Sequence, residues 1–339
     1  MNSPYRKCVN GAFCMADDTT IGVVTVTYNS AQVLDGFLSS LLGQSQRNFL
    51  LYVVDNASSD DTLERLARYD DRRIVLIANR ENVGVAHGNN QGIRAALETG
   101  CDSVLLINND TEFGPDLLLS LCTGLRDYRC DMIVPKIMYF DDSAKIWYAG
   151  GFFDRLKGYL GVHYGQDEKD QGQFDEVRRV DYSPTCCMLI KKEIFDCVGL
   201  MDEQYFIYFD DGDFCLRARK NASKLVYFPT AKLWHKVSSL TGGGQSDFAV
   251  RQLTRNHVYY IRKNLGFWKS AYYLPAYQLR LIYKFLFRVI DWNGFSLRQS
   301  AFFEGWRLPL RRQHGTSIHG PESKPTLQER LGIKARHHL

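Results

Sequence analysis

The chain has 339 residues, 45% of them hydrophobic, and a net charge of +4, which supports a sizeable core and excludes global disorder. So small a positive excess excludes a polycation built for nucleic acid. Nine cysteines without a Cys-x-x-Cys pair read as reduced thiols, and no stretch has the ~20 uncharged apolar residues of a membrane-spanning helix.

Residues 1–20, with Lys7, Asp17 and Asp18, read as a flexible lead-in and not as a secretory signal. The expected location is therefore cytoplasmic, peripheral on the inner face of the plasma membrane. Ile21–Thr27 is rich in β-branched residues and predicts a buried strand that closes in Tyr28-Asn29-Ser30. Val33, Phe37, Leu38, Leu41 and Leu42 have helical spacing. Residues 49–54 predict a second strand closed by Asp55-Asn56-Ala57-Ser58, and a helix follows with Leu63, Leu66 and Ala67. Residues 74–77 predict a third strand, leading through Glu81-Asn82-Val83-Gly84 into a helix towards Thr99. The run Val104-Leu105-Leu106-Ile107 predicts a fourth, ended by Asn108-Asn109-Asp110. This alternation implies an α/β chain with a mostly parallel sheet in a three-layer sandwich. Gly84, Gly88 and Gly92 share one helix face, where close packing and ligand approach are equally served.

Beyond Pro115 the alternation weakens. Residues 131–140 and 186–190 read as strands, and Leu225-Val226-Tyr227-Phe228 as a last strand before Trp234-His235. Residues 147–179 are rich in Gly, Asp and aromatics without a period, the mark of a functional loop region. Thr241-Gly242-Gly243-Gly244 reads as a lid hinge. From Gln252 the pattern is helical. Arg280, Lys284 and Arg288, spaced by four on an apolar segment, read either as an interfacial helix on anionic lipid or as the solvated edge of a packed helix. Residues 305–339 carry seven Lys or Arg against two Glu, an excess suited to an anionic membrane surface.

Open α/β sheets bind ligands at the carboxyl ends of their strands, which is where Asp55 and Asp110 stand. Asp110 reads as a metal or ligand holder, or as a cap. Asp210-Asp211-Gly212-Asp213 follows a run of aromatics. Carboxylates crowded in this way raise one another's proton affinity, as a general base requires, although an acidic helix N-terminus has the same composition.

Taken in order, Thr27-Tyr28-Asn29, Asp55-Asn56-Ala57-Ser58, Asn82-Val83-Gly84, Asn108-Asn109-Asp110, Met188-Leu189-Ile190, Tyr208-Phe209-Asp210-Asp211-Gly212-Asp213 and Trp234-His235 give the chain a resemblance over residues 21–263. It resembles family 2 glycosyltransferases of the GT-A fold, rhamnosyltransferases among them. The resemblance implies an inverting, metal-dependent hexosyltransferase of cell-surface polysaccharide synthesis, with a catalytic domain over 21–245 and a helical, basic, membrane-associated region over 246–339. It implies a nucleoside-diphosphate sugar donor, a UDP- or dTDP-sugar carrying L-rhamnose, or else galactofuranose, N-acetylglucosamine or glucose. The acceptor would be a glycan or a polyprenyl-linked glycan. Thr27, Tyr28, Asn29 and Asp55 would surround the base, and Asn82, Gly84, Asn89 and Asn109 the ribose and diphosphate. Asp110, at the last position of the family's Asp-x-Asp motif, would hold Mn2+ or Mg2+ together with His235. Asp211 would be the base, with Asp210 and Asp213 setting its field or binding the acceptor. The preference for Asp211 over Asp210 follows the family pattern, since the residues alone do not separate them.

Two departures stand out. Asn108 replaces the first Asp of the motif, and Pro184-Thr185-Cys186 replaces the usual Ser-Gly-Ala. Two other classes compete. A sugar nucleotidyltransferase would need a basic, Gly-rich loop where this chain has Tyr28-Asn29-Ser30. The other is a non-catalytic module that binds a nucleotide or glycan.

Overall fold

The computed structural model describes residues 5–7, 13–15, 19–237 and 246–311. The four apolar runs of the first third form strands Ile21–Thr27 (β1), Phe49–Asp55 (β2), Ile74–Ala78 (β3) and Ser103–Ile107 (β4). They pair in parallel in the order β4-β1-β2-β3. All of β1 except Val26 is buried, so both faces of the sheet are covered; that is why the strands read as unbroken apolar runs rather than as alternations. Helices Ala31–Leu42 (α1), Thr62–Leu66 (α2) and Val85–Glu98 (α3) make the crossovers. Gly88 and Gly92 lie where α3 crosses β1: a Cβ on Gly88 would stand 2.9 Å from Val26 Cγ2, and one on Gly92 would overlap Val24. For these two glycines, close packing is the reason.

The second half of the sheet is mixed. It comprises Thr111–Phe113 (β5), Leu117–Asp127 (α4), Met132–Tyr139 (β6), Ile146–Tyr148 (β7), Arg178–Arg179 (β10), Cys187–Lys191 (β11), Lys192–Val198 (α5), Asp210–Lys220 (α6) and Leu225–His235 (β12). Strand β11 runs antiparallel between β4 and β6, and β12 runs parallel to β6. The unpatterned region after Trp147 contains a separate hairpin, Gly151–Asp154 (β8) with Leu160–His163 (β9). Its later part is tied to the sheet by the fully buried Lys136, whose Nζ lies 2.9 Å from Asp170 and 2.5 Å from Asp175.

Three helices close the described chain: Asp247–Asn264 (α7), Gly266–Leu286 (α8) and Trp292–Arg307 (α9). Helix α7 belongs to the main core through Val258, Tyr259, Tyr260 and Ile261. Helix α8 buries only Leu274 and Leu281 and leaves a largely exposed aromatic surface. Arg280 and Lys284 lie on α8, whereas Arg288 lies beyond its end at a φ of 56°. Among the described residues, no helix is long and apolar enough to cross a membrane. The glycine hinge at 241–244 and the basic segment beyond Arg311 lie outside the described residues. Of the N-terminal lead-in, residues 5–7 and 13–15 pair as a small antiparallel sheet.

Candidate active site

The carboxyl ends of β1, β2 and β4 open onto a cavity of about 470 Å3. Tyr28, Asn56, Asn82, Gly84 and Asn89 form one wall; Asn108, Asn109, Asp110 and His235 form the floor; Tyr182, Tyr208, Asp210 and Asp211 stand on the far side. Strand register brings the floor together. Strand β12 pairs antiparallel with β5, with His235 opposite Thr111, and the Lys236 N–H donates to the Asp110 carbonyl at 2.8 Å. His235 Nε2 thus comes 3.2 Å from Asp110 Oδ1, with each residue 7% exposed. Burial opposes the imidazolium, but Cys186 and the Asp110 carboxylate outweigh it and push the His235 pKa up to about 10, so a cation bound here would have to displace that proton.

This donor set fits Mg2+ or Mn2+. Adjacent ligands of an octahedral cation at ~2.1 Å stand about 3 Å apart, close to the spacing of this pair. No group of three His, Cys, Asp or Glu suited to share an ion occurs among the described residues. A cation held by this pair would have to draw its other ligands from water and substrate phosphate, as Mg2+ commonly does.

The far wall is built on strained backbone. Asp210 and Asp211 begin α6, and the two residues before them, Tyr208 and Phe209, have φ of 66° and 69°. Left-handed backbone costs about 1–2 kcal/mol per non-glycine residue. Helix α7 holds it in place: Asn256 Nδ2 donates to the Ile207 carbonyl at 2.7 Å and to the Tyr208 carbonyl at 3.0 Å, and Phe209 stacks on His257. Burial raises the proton affinity of both carboxyls. For Asp210 the neighbouring Asp211 charge adds to the rise, and Asp210 Oδ2 is buried without a hydrogen-bond partner. For Asp211 the Gly212 N–H at 2.6 Å and the Tyr182 hydroxyl at 3.1 Å favour the anion. Backbone N–H groups favour the Asp210 anion as well, so the pair shares a raised proton affinity, and the Tyr182 hydroxyl is the side-chain donor that singles out Asp211.

Several expected site residues stand elsewhere. Thr27 and Asp55 do not line the cavity. Asp55 is 1% exposed; its Oδ1 accepts from the Thr27 hydroxyl at 2.9 Å and the Ser58 hydroxyl at 2.6 Å, and its Oδ2 accepts from the Ser58 N–H at 3.0 Å. This network braces the loop behind Tyr28. Asn29 is likewise a brace, its Oδ1 accepting from the Ser59 N–H at 2.8 Å. Asp213 points away into the protein, where it meets Arg217 at 2.8 Å, Lys263 at 2.8 Å and Asn264 at 2.7 Å. Burial alone would raise its pKa, but Arg217 and Lys263 hold it down at about 2. Asn109 stays at the cavity, yet its Nδ2 pins β4 to the Val26 carbonyl at 2.7 Å. Asn82 Oδ1 accepts from the Gly84 N–H at 3.0 Å and from Asn56 Nδ2 at 3.2 Å. Gly84 has a φ of 84°, and a Cβ there would overlap the Phe206 carbonyl, so here too close packing requires glycine, now at the wall of the cavity. Sequence reasoning missed Asn56, Trp147, His163, Tyr182 and Asn256. Asn56 follows a recognised strand-end Asp, and Trp147 and His163 lie in the stretch read as a functional loop region, but Tyr182 and Asn256 lie in stretches without a local signal.

A mostly parallel sheet with a mixed second half, helices on both faces and a cavity at its strand ends is the architecture of the GT-A fold. The chain belongs to glycosyl transferase family 2, whose family model matches residues 22–199, just over half of it. It is therefore a glycosyltransferase. It is 29% identical over 224 residues to the low-salt glycan biosynthesis hexosyltransferase Agl10 of Haloferax volcanii, covering 64% of this chain and 67% of that protein. It is 25% identical over 266 residues to the N-acetylglucosaminyl-diphospho-decaprenol L-rhamnosyltransferase of Mycobacterium tuberculosis, covering 73% and 86%. With the dTDP-rhamnosyl transferase RfbF of Shigella flexneri it shares 28% identity over 221 residues, covering 65% and 70%. Among solved structures, GalNAc-T7 with UDP, GalNAc and Mn2+ matches with a TM-score of 0.57 at 18% identity over 72% of this chain, which spans about half (48%) of that one. TarS 1-349 of S. aureus in complex with UDP-GlcNAc matches with a TM-score of 0.52 at 18% identity, over 85% and 79%. At such identities these structures speak for the fold.

Proposed function

We propose that the protein transfers a hexose, with L-rhamnose favoured, from a dTDP- or UDP-sugar to a hydroxyl of a lipid-linked glycan, with inversion, in the assembly of a surface polysaccharide. One observation carries the mechanism: Asp110, His235 and Asp211 line the same cavity. Asp110 and His235 are the residues to hold Mn2+ or Mg2+; when bound, the cation supplies charge neutralisation to the departing nucleoside diphosphate. Asn82, Gly84 and Asn89 face the donor, and Tyr28 at the rim is exposed to stack on its base. Asp211 takes the proton of the acceptor hydroxyl as that oxygen attacks the anomeric carbon, and Tyr182 fixes the direction of its carboxylate. Asp210, protonated, offers a hydrogen bond to a sugar hydroxyl.

The printed names of the mycobacterial and Shigella relatives favour rhamnose and a diphosphate-lipid acceptor, and the Mn2+ beside UDP in GalNAc-T7 favours a metal. In this reading residues 21–245 are the catalytic unit, braced by α7, and the later helices serve the acceptor at the inner membrane face. The test is release of free nucleoside diphosphate from a panel of dTDP- and UDP-sugars with Mn2+ and a lipid-linked acceptor. Release that needs acceptor supports the proposal; silence with every donor, together with nucleotide binding, leaves the non-catalytic module.

A further inference from the structure

We propose that the cleft between α8 and the loop at residues 155–160 binds the diphosphate of a lipid-linked acceptor, with the isoprenoid chain lying along the exposed end of α8. The inference rests on the transferase reading and names the acceptor end of the same site. Asp211 has two open sides. Together with Tyr182 and Tyr208 it lines the donor cavity, and the same three residues line a smaller cavity of about 160 Å3 with Tyr159, Leu160 and Tyr260. Leu160 in turn lines a cleft of about 350 Å3. The three spaces follow one another from the donor, past the base, to the surface of α8.

Charge selects the occupant. Lys157, Arg280, Lys284 and Arg298 line the cleft, and none of its described lining residues is Asp or Glu. Lys157 is partnered by Asp154 at 3.3 Å, and Arg298 donates to the Gly294 carbonyl at 2.9 Å. The Arg280 and Lys284 side chains make no hydrogen bond or ion pair among the described residues. They are one turn apart on α8, so they share a face. Cations concentrated in a cleft, with Asp154 on Lys157 as the counter-charge present, favour a compact polyanion, and guanidinium and ammonium donors form their strongest bonds to phosphate oxygens.

Apolar surface selects the rest of the ligand. The last turns of α8 leave Tyr283, Leu286 and Phe287 at 57%, 69% and 65% exposure. A continuous apolar patch of this kind marks an interaction site. A free phosphate would use the cations alone, whereas an isoprenoid diphosphate uses both surfaces. Its order of hydrocarbon, diphosphate and sugar matches the order of apolar helix end, cationic cleft and Asp211.

The test is calorimetric binding of farnesyl diphosphate to the full chain in the presence of EDTA, which removes the metal-dependent donor site. We expect the R280Q/K284Q double variant to bind at least ~10-fold more weakly than wild type, through loss of two charge-assisted contacts. Inorganic pyrophosphate and farnesol should each bind wild type at least ~10-fold more weakly than farnesyl diphosphate. Equal binding by wild type and variant overturns the cleft, and equal binding of pyrophosphate overturns the lipid arm. Loss of phosphatidylglycerol-vesicle binding in a variant that still binds farnesyl diphosphate as wild type does overturns it in favour of a lipid surface. Because no donor is present, these outcomes are read even if no sugar nucleotide is ever turned over. Where transfer does occur, the variant raises KM for an isoprenyl-diphosphate acceptor and spares turnover with a neutral alkyl glycoside.

Discussion

Replacing Asn256 with alanine tests how the base is held. Asn256 is fully buried, and its amide is a donor to the Ile207 and Tyr208 carbonyls, at 2.7 and 3.0 Å. Each such bond contributes ~0.5–1.5 kcal/mol net, and a buried carbonyl left unpaired costs ~1–3 kcal/mol. For two such bonds the variant loses about 1–3 kcal/mol net, or roughly 2–6 kcal/mol where both carbonyls stay unpaired, a range that brackets the backbone strain at this point. The two left-handed residues it holds, Tyr208 and Phe209, lie roughly 2–4 kcal/mol above right-handed backbone in total. Support and strain are of equal size, so without Asn256 the segment relaxes and carries Asp211 with it. A displacement of about 1 Å at a catalytic group costs on the order of 100-fold in rate. The assay is acceptor-dependent release of nucleoside diphosphate, with thermal unfolding in parallel. We expect kcat to fall ~10- to 100-fold with the donor KM little changed. The acid limb of the pH profile should move to lower pH as Asp211 meets water. A variant with lower Tm but kcat within about twofold of wild type would refute the reasoning, because α7 would then support the fold without holding the base.

Three further outcomes follow from the site. Asp211→Asn should lose transfer by at least ~100-fold while Tm stays level or rises, since burial disfavours the Asp211 carboxylate. Because that group's folded-state pKa lies above its ordinary value, its stability contribution is complete in acid and is lost as pH rises through the raised pKa, whereas activity appears over the same interval; Asp211→Asn should flatten the stability trend on denaturant titration. His235→Ala should need at least ~10-fold more Mn2+ for half-maximal activity, and EDTA should silence the wild type until Mn2+ is restored; transfer unaffected by EDTA would remove the metal from the mechanism. Asp213→Asn breaks a buried ion cluster and should cost about 3–5 kcal/mol by denaturant unfolding, yet leave kcat per folded molecule within a few-fold, because Asp213 faces Lys263 and Arg217 instead of the cavity.

Much of the donor half was legible in the residue order. Strands β1, β2 and β4 announce themselves because each is buried on both faces and each ends in Asn or Asp at a sheet edge. Gly84 was legible from its spacing with Gly88 and Gly92, and the structure supplies the reason: a positive φ and the close approach of Phe206 exclude a side chain. The residue order placed Asp110 at a strand end and Asp210, Asp211 and Asp213 in one cluster; it was the family resemblance that nominated Asp110 and His235 as a metal pair and Asp211 as a base. What pattern cannot supply is the partner of each polar group. Asp55 reads as a base-pocket residue, and only the fold shows that Thr27 and Ser58 already donate to its carboxylate. Asp213 looks like Asp211 until α7 brings Lys263 and Asn264 to it.

The sequence by itself determined which segments form the parallel core, where those strands stop, and which acids stand at their ends, since burial and helix or strand period are written along the chain. The tertiary structure alone decided that β12 reaches β5 in the register that sets His235 against Asp110, and that Asn256 clamps a loop 49 residues before it. It also decided that the Tyr182 hydroxyl, from a segment 29 residues earlier, meets Asp211 and not Asp210. The reason is that proton affinity and strain depend on the groups across a gap, and those come from segments that only the completed fold brings together.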